Sequence, residues 1–165
     1  MKHIWSEFKL RVNINTPIEK AYRAWATQQG LESWFLRQAL ITGADGNKRK
    51  ASSPIEKGDS YEWYWHGYPD GIAVQGKITG ANGIDRFGFT FSMGCPVSIS
   101  LYRECDETIV ELREHDLPAD EETAIKYYMD DSKGWLFYLV NLKSVLEHGI
   151  DLRNKKLELT NVITA

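Results

Sequence analysis

The chain has 165 residues, a net charge of −3, and 42% hydrophobic and 26% charged residues. That balance fits one globular domain burying about 70% of its unfolded surface, and it argues against disorder and against nucleic-acid binding through net basic charge. Aromatics stand out, with 6 Trp, 8 Tyr and 6 Phe, a supply that suits a crowded core and also the wall of an apolar pocket.

No run approaches the roughly 18 apolar residues of a membrane-spanning helix. Residues 1–7 lack the apolar centre of a signal peptide, so a cytoplasmic protein is expected. Phe8, Leu10, Val12 and Ile14 alternate with Lys9, Arg11, Asn13 and Asn15, the pattern of a half-buried strand. Thr16 as N-cap, Pro17 at the first helical position and Glu19 form a capping box. A helix is therefore expected from Pro17 to about Thr27, with Ala21, Ala24 and Trp25 inward. Gly30 is expected to break it, and Leu31 to Phe35 to make a second short helical turn. Leu36 to Ile41 reads as a short strand. The polar stretch Thr42 to Lys57, with the basic run Lys48-Arg49-Lys50, reads as an exposed, solvated loop.

Ser60 to His66 reads as a strand with Tyr61, Trp63 and Trp65 on one face. Tyr68-Pro69-Asp70-Gly71 is a turn, and Ile72, Val74, Gly76 and Ile78 continue as the next strand. Phe87, Phe89, Phe91 and Met93 alternate after it. Gly94-Cys95-Pro96 turns the chain into Val97, Ile99 and Leu101, and Asp106-Glu107 turns it into Val110 and Leu112. Strands joined by short turns make an antiparallel meander. Cys95 and Cys105 bracket a strand that holds them roughly 30 Å apart, beyond disulfide reach.

From Asp120 to His148, apolar residues recur at helical spacing: Ile125, Tyr128, Met129, Trp135, Leu136, Leu139, Leu142 and Leu146. Asp120 can cap the start, Glu121 and Glu122 complement the dipole, and Gly149 can end the helix in a left-handed turn. Such a helix is about 40 Å long. Its apolar stripe needs a sheet curved around it, which gives an α+β architecture. Asp130 and Asp131 are read as facing solvent. Gly134 is read as permitting a close approach or a kink beside Trp135. Residues 150–165 form a tail that fits an edge strand, a partner contact or a packed extension.

His3, His66, His115 and His148 show no metal-ligand spacing. No phosphate loop, Ser elbow or Cys nucleophile setting occurs. Glu111, Arg113 and His115 share the strand face opposite Val110, which reads as an exposed salt-linked surface rather than acid–base machinery. Neither catalytic residue, metal nor cofactor is expected.

Two blocks carry a family resemblance: the run from Val12 to Trp25, and Gly30-Leu31-Glu32-Ser33-Trp34-Phe35. Gly58-Asp59 before an aromatic strand adds to it, as does Gly134-Trp135 with Leu139, Leu142 and Leu146. With these motifs the chain resembles the START-like (SRPBCC) superfamily, in the branch of the activator of heat-shock protein 90 ATPase. Thr16 stands where that pattern usually has Ala. The resemblance implies a helix-grip fold over about residues 7–149, within a single domain of 1–165, with a cavity between sheet and C-terminal helix. The aromatic wall is the functional candidate. Trp34, Phe35, Tyr61, Trp63, Trp65, Val74, Phe89, Phe91, Leu101, Trp135 and Leu139 are expected to bind a small apolar or amphipathic molecule. Two alternatives are a stress-related module contacting a chaperone, or self-associating through the tail, and a cavity enzyme of the cyclase or hydrolase type.

Overall fold

The computed structural model describes residues 4–160, 162 and 163; Met1 to His3, Asn161, Thr164 and Ala165 lie outside it, with His3, the extreme N-terminal reading and the end of the tail. The elements in order are β1 (Glu7–Ile14), α1 (Ile18–Ala26), α2 (Gln28–Trp34), β2 (Gln38–Thr42), β3 (Ser60–Tyr64), β4 (Val74–Ala81), β5 (Arg86–Thr90), β6 (Pro96–Glu104), β7 (Glu107–His115) and α3 (Glu121–His148). A 3-10 turn at Ser92–Gly94 links β5 to β6. The strands form one antiparallel, curved sheet in the order β1-β7-β6-β5-β4-β3-β2. The sheet grips α3, an α+β helix-grip architecture.

Inward residues follow strand parity. Tyr61 and Trp63 on β3, Phe87 and Phe89 on β5, Val97, Ile99 and Leu101 on β6, and Val110 and Leu112 on β7 are all buried. The outer face carries ion pairs: Lys9 and Arg11 with Glu111, and Arg113 with Glu7. α3 crosses the inner face. Asp120 caps it, its carboxylate accepting from the Thr123 amide at 2.9 Å, and Gly149 closes it at φ 70°. Trp135, Tyr138, Leu139 and Leu142 form its buried stripe, while Met129 and Leu136, expected inside, are exposed. The stripe is narrower than their spacing suggested because the sheet covers only one side of the helix.

Several boundaries differ from expectation. Thr16 does not cap α1; Pro17 takes the cap position without a side-chain bond. The Thr16 carbonyl instead accepts from the Thr108 hydroxyl of β7. The helix pair breaks at Thr27, not Gly30. Thr27 is extended and caps α2, accepting from the Gly30 amide at 2.9 Å. Gly30 lies inside α2, where a Cβ would collide with the Arg23 carbonyl oxygen and sit 2.8 Å from the Ala24 Cα. The β5 strand ends at Thr90, so Met93 is exposed at φ 53° in the 3-10 turn. The β6–β7 hairpin turns at Cys105-Asp106, both at positive φ, the backbone of a two-residue hairpin. Both cysteines are free, Cys95 buried and Cys105 exposed.

Arg49 is not simply solvated. It pairs with Asp59, which is fully buried, and with Glu56, and so pins the loop between β2 and β3. The tail is anchored as far as Arg153, a packed extension. Buried Arg153 donates to the Leu36 carbonyl at 2.9 Å and the Glu32 carbonyl at 3.1 Å, and pairs with Asp151 at 2.8 Å. Asn141 of α3 donates to the Trp34 carbonyl at 2.6 Å and accepts from the Leu152 amide at 2.7 Å. One buried amide thereby ties α3, α2 and the tail together.

Candidate functional site

One end of the inner face is left unfilled. Here the chain leaves β3 at Tyr64 and reaches β4 only at Val74, so this connection stands away from α3. A cavity of about 300 Å³ lies between it and the helix. Phe35, Trp65, Tyr68, Phe91, Trp135 and Tyr138 supply its aromatic walls, and Ile72 and Val74 its aliphatic side. Phe35 stacks on Trp135 with ring centroids 5.0 Å apart, and Phe91 meets Trp135 at 5.1 Å. Trp65 contacts both Phe35 and Phe91. Gly134 also lines the space; a Cβ there would meet nothing within 4 Å. It therefore leaves room, and neither permits a close approach nor answers to a clash.

Five of the residues expected from the sequence line this cavity: Phe35, Trp65, Val74, Phe91 and Trp135. The other six, Trp34, Tyr61, Trp63, Phe89, Leu101 and Leu139, are sealed in the core behind it, none more than 3% exposed. Tyr61 stacks on Trp63 at 3.7 Å. Its hydroxyl donates to the Thr90 carbonyl, so it is already committed within the fold.

The polar side of the cavity holds Ser92, Asp130 and Asp131. Asp131 does not simply face solvent. It lies four residues before Trp135 on the same helix face and meets Glu114, which β7 parity turns inward with Val110 and Leu112. Glu114 is fully buried. Its Oε2 accepts from the Trp135 indole N–H at 3.0 Å. Glu114 Oε1 and Asp131 Oδ2 are buried with no other hydrogen-bond donor, and the two carboxyls lie within hydrogen-bonding reach of each other. Burial pushes both above the usual carboxylate range, Glu114 further than Asp131. Two carboxyls this close and out of water favour holding one proton between them over both being charged. Trp135, Glu114 and Asp131 thus stand in a row, and Ser92 approaches Asp131 Oδ1 at 3.5 Å from the other side. Burial, reinforced by the same carboxyls, pushes the nearby Cys95 thiol up to about 11, so it is a poor nucleophile.

The sequence reading missed this pair. Its signal was present: Glu114 falls on the apolar parity of β7, and Asp131 on the stripe of Trp135. A carboxylate on a core-facing position marks either a satisfied buried acid or a site.

No protein-family model matches the chain, and no curated protein matches its sequence. Solved structures do. Protein SSP2350 from Staphylococcus saprophyticus superposes with a TM-score of 0.70 at 18% identity, covering 89% of this chain and 96% of its own. DynU16, a putative protein in the dynemicin biosynthetic locus, gives 0.69 at 19% identity, covering 91% of this chain; this chain spans half of DynU16. The Aha1 dimer from Colwellia psychrerythraea gives 0.65 at 20% identity, covering 87% of this chain and 97% of its own. At such identities the likeness is one of fold.

Proposed function

We propose that the protein binds a small apolar or amphipathic molecule in the cavity between the β3–β4 connection and α3. The observation that carries this reading is the cavity itself, about 300 Å³ walled by six aromatic side chains and set in a core otherwise closely filled. Such a volume is at the small end of ligand pockets, and its mix of broad apolar wall and few polar groups is typical of them. Phe35, Trp65, Val74, Phe91 and Trp135 make the contact in this reading, and the six buried residues behind hold those walls in place.

The test is a titration with a panel of naphthalene derivatives and medium-chain alcohols, followed by tryptophan emission and melting temperature. Micromolar affinity, about −8 kcal/mol, is expected for the best of them. Ile72→Trp, which adds bulk at the cavity's aliphatic side, should abolish it. Silence across the whole panel would remove the binding reading. The likeness to the Aha1 dimer supports a second reading, a self-associating or chaperone-contacting module. Sedimentation of the purified chain showing a dimer at micromolar concentration, together with a silent panel, would favour it.

A further inference from the structure

The charge around the cavity is one-sided. Among the described residues lining it, the charged ones are Asp130 and Asp131, and none is basic. Behind Asp131 stands Glu114, fully buried, with Oε1 facing the same junction and no donor on it. Two carboxyls in contact out of water need positive charge between or beside them. A single shared proton supplies half of that and leaves one net negative charge on the pair, whose Asp131 member lines the cavity. Ser92 is the one described side chain donating to Asp131 besides the Glu114 acid, and at 3.5 Å its bond is long. Trp135, Phe91 and Trp65 add aromatic faces around the same space, and these attract cations as well as apolar groups.

Resting on the binding reading above, we infer that the ligand is an apolar amine, aromatic or aliphatic. Its body fills the aromatic cavity and its ammonium group sits against the Asp131 carboxylate, with the Glu114 acid behind. A carboxylic acid of the same shape meets repulsion from the Asp130 and Asp131 side. An alcohol can bond there but leaves the charge uncompensated. A metal ion is a poor occupant: no cluster of three or more His, Cys, Asp or Glu suited to a metal occurs among the described residues.

The experiment uses three molecules on one carbon frame: naphthylethylamine, naphthylethanol and naphthylpropionate, each titrated by calorimetry at neutral pH and low salt. The amine should bind at least about tenfold tighter than the alcohol, as a bond to a charged partner implies, and the carboxylate should bind weakest. In Asp131→Asn the amine-to-alcohol ratio should fall to within about twofold of one. Equal affinity of alcohol and amine in the unmodified protein would overturn the amine assignment while sparing the binding reading. A ratio that survives Asp131→Asn would overturn the placement on Asp131. If none of the three bound, the binding reading would fall and the amine assignment with it. The series on the unmodified protein decides between amine and alcohol even if the variant does not fold.

Discussion

The indole N–H of Trp135 and the acid of Glu114 join the helix to the sheet through one bond in an apolar setting. Two predictions belong to these side chains. Glu114 has an ordinary value of 4.5, and burial beside Asp131 raises it well above that in the fold. Above the ordinary value the unfolded chain has released a proton that the folded chain keeps, so stability falls as pH rises from about 4.5 until the folded carboxyl also ionises. Burial raises Asp131 as well, so the slope should be up to about 1.4 kcal/mol per pH unit for each of the two protons, falling to that of one proton at the upper end of the window. Glu114→Gln keeps an acceptor for Trp135 and a donor for Asp131, and should flatten the slope; denaturant melts at several pH values check it. Trp135→Ala should cost about 3–5 kcal/mol, since the ring is 2% exposed and its loss strips Glu114 of its donor. A cost below about 1 kcal/mol would mean that water already wets that wall. Glu114 and Asp131 were readable from parity and helical spacing, but residue type argued the other way. Acidic side chains belong outside by default, and only their positions contradicted that.

At the level of elements, the strands and α3 were legible because alternation and 3.6-residue spacing are long signals. What failed was local: where α1 ends, where β5 stops, which residues turn the β6–β7 hairpin. These depend on single contacts. Gly30 looked like a breaker, yet it sits inside α2 because the Arg23 and Ala24 backbone crosses there. Gly30→Ala should therefore destabilise by about 1–3 kcal/mol, as overpacking does, despite its better helix propensity. Gly134 is the opposite case, with open space at its missing Cβ. Gly134→Ala should stabilise α3 by up to about 1 kcal/mol. Thermal unfolding of the two variants side by side checks both signs. Arg153 and Asn141 gave little sequence signal because, Asp151 apart, their partners are backbone carbonyls and amides at and just after α2 and in the tail, and backbone groups are invisible to a pattern of side chains.

For the molecule as a whole, the long-range order of the sheet sets how it is assembled. β1 pairs with β7, Glu7 opposite His115, while β2 to β7 pair each with the next in sequence. On the ribosome, β1 therefore emerges first and finds its neighbour last, about 100 residues later. At roughly 5–20 residues per second that interval is on the order of 5–20 s. Throughout it, the Phe8, Leu10, Val12 and Ile14 face has no sheet to join, and β1 is an open edge of the kind that invites wrong pairing. Nascent chains stalled before Glu107 should stay open to protease within β1, and chains stalled after α3 has emerged should resist it. The strand that is the first to be made is thus the one most dependent on whatever shields it until the rest arrives.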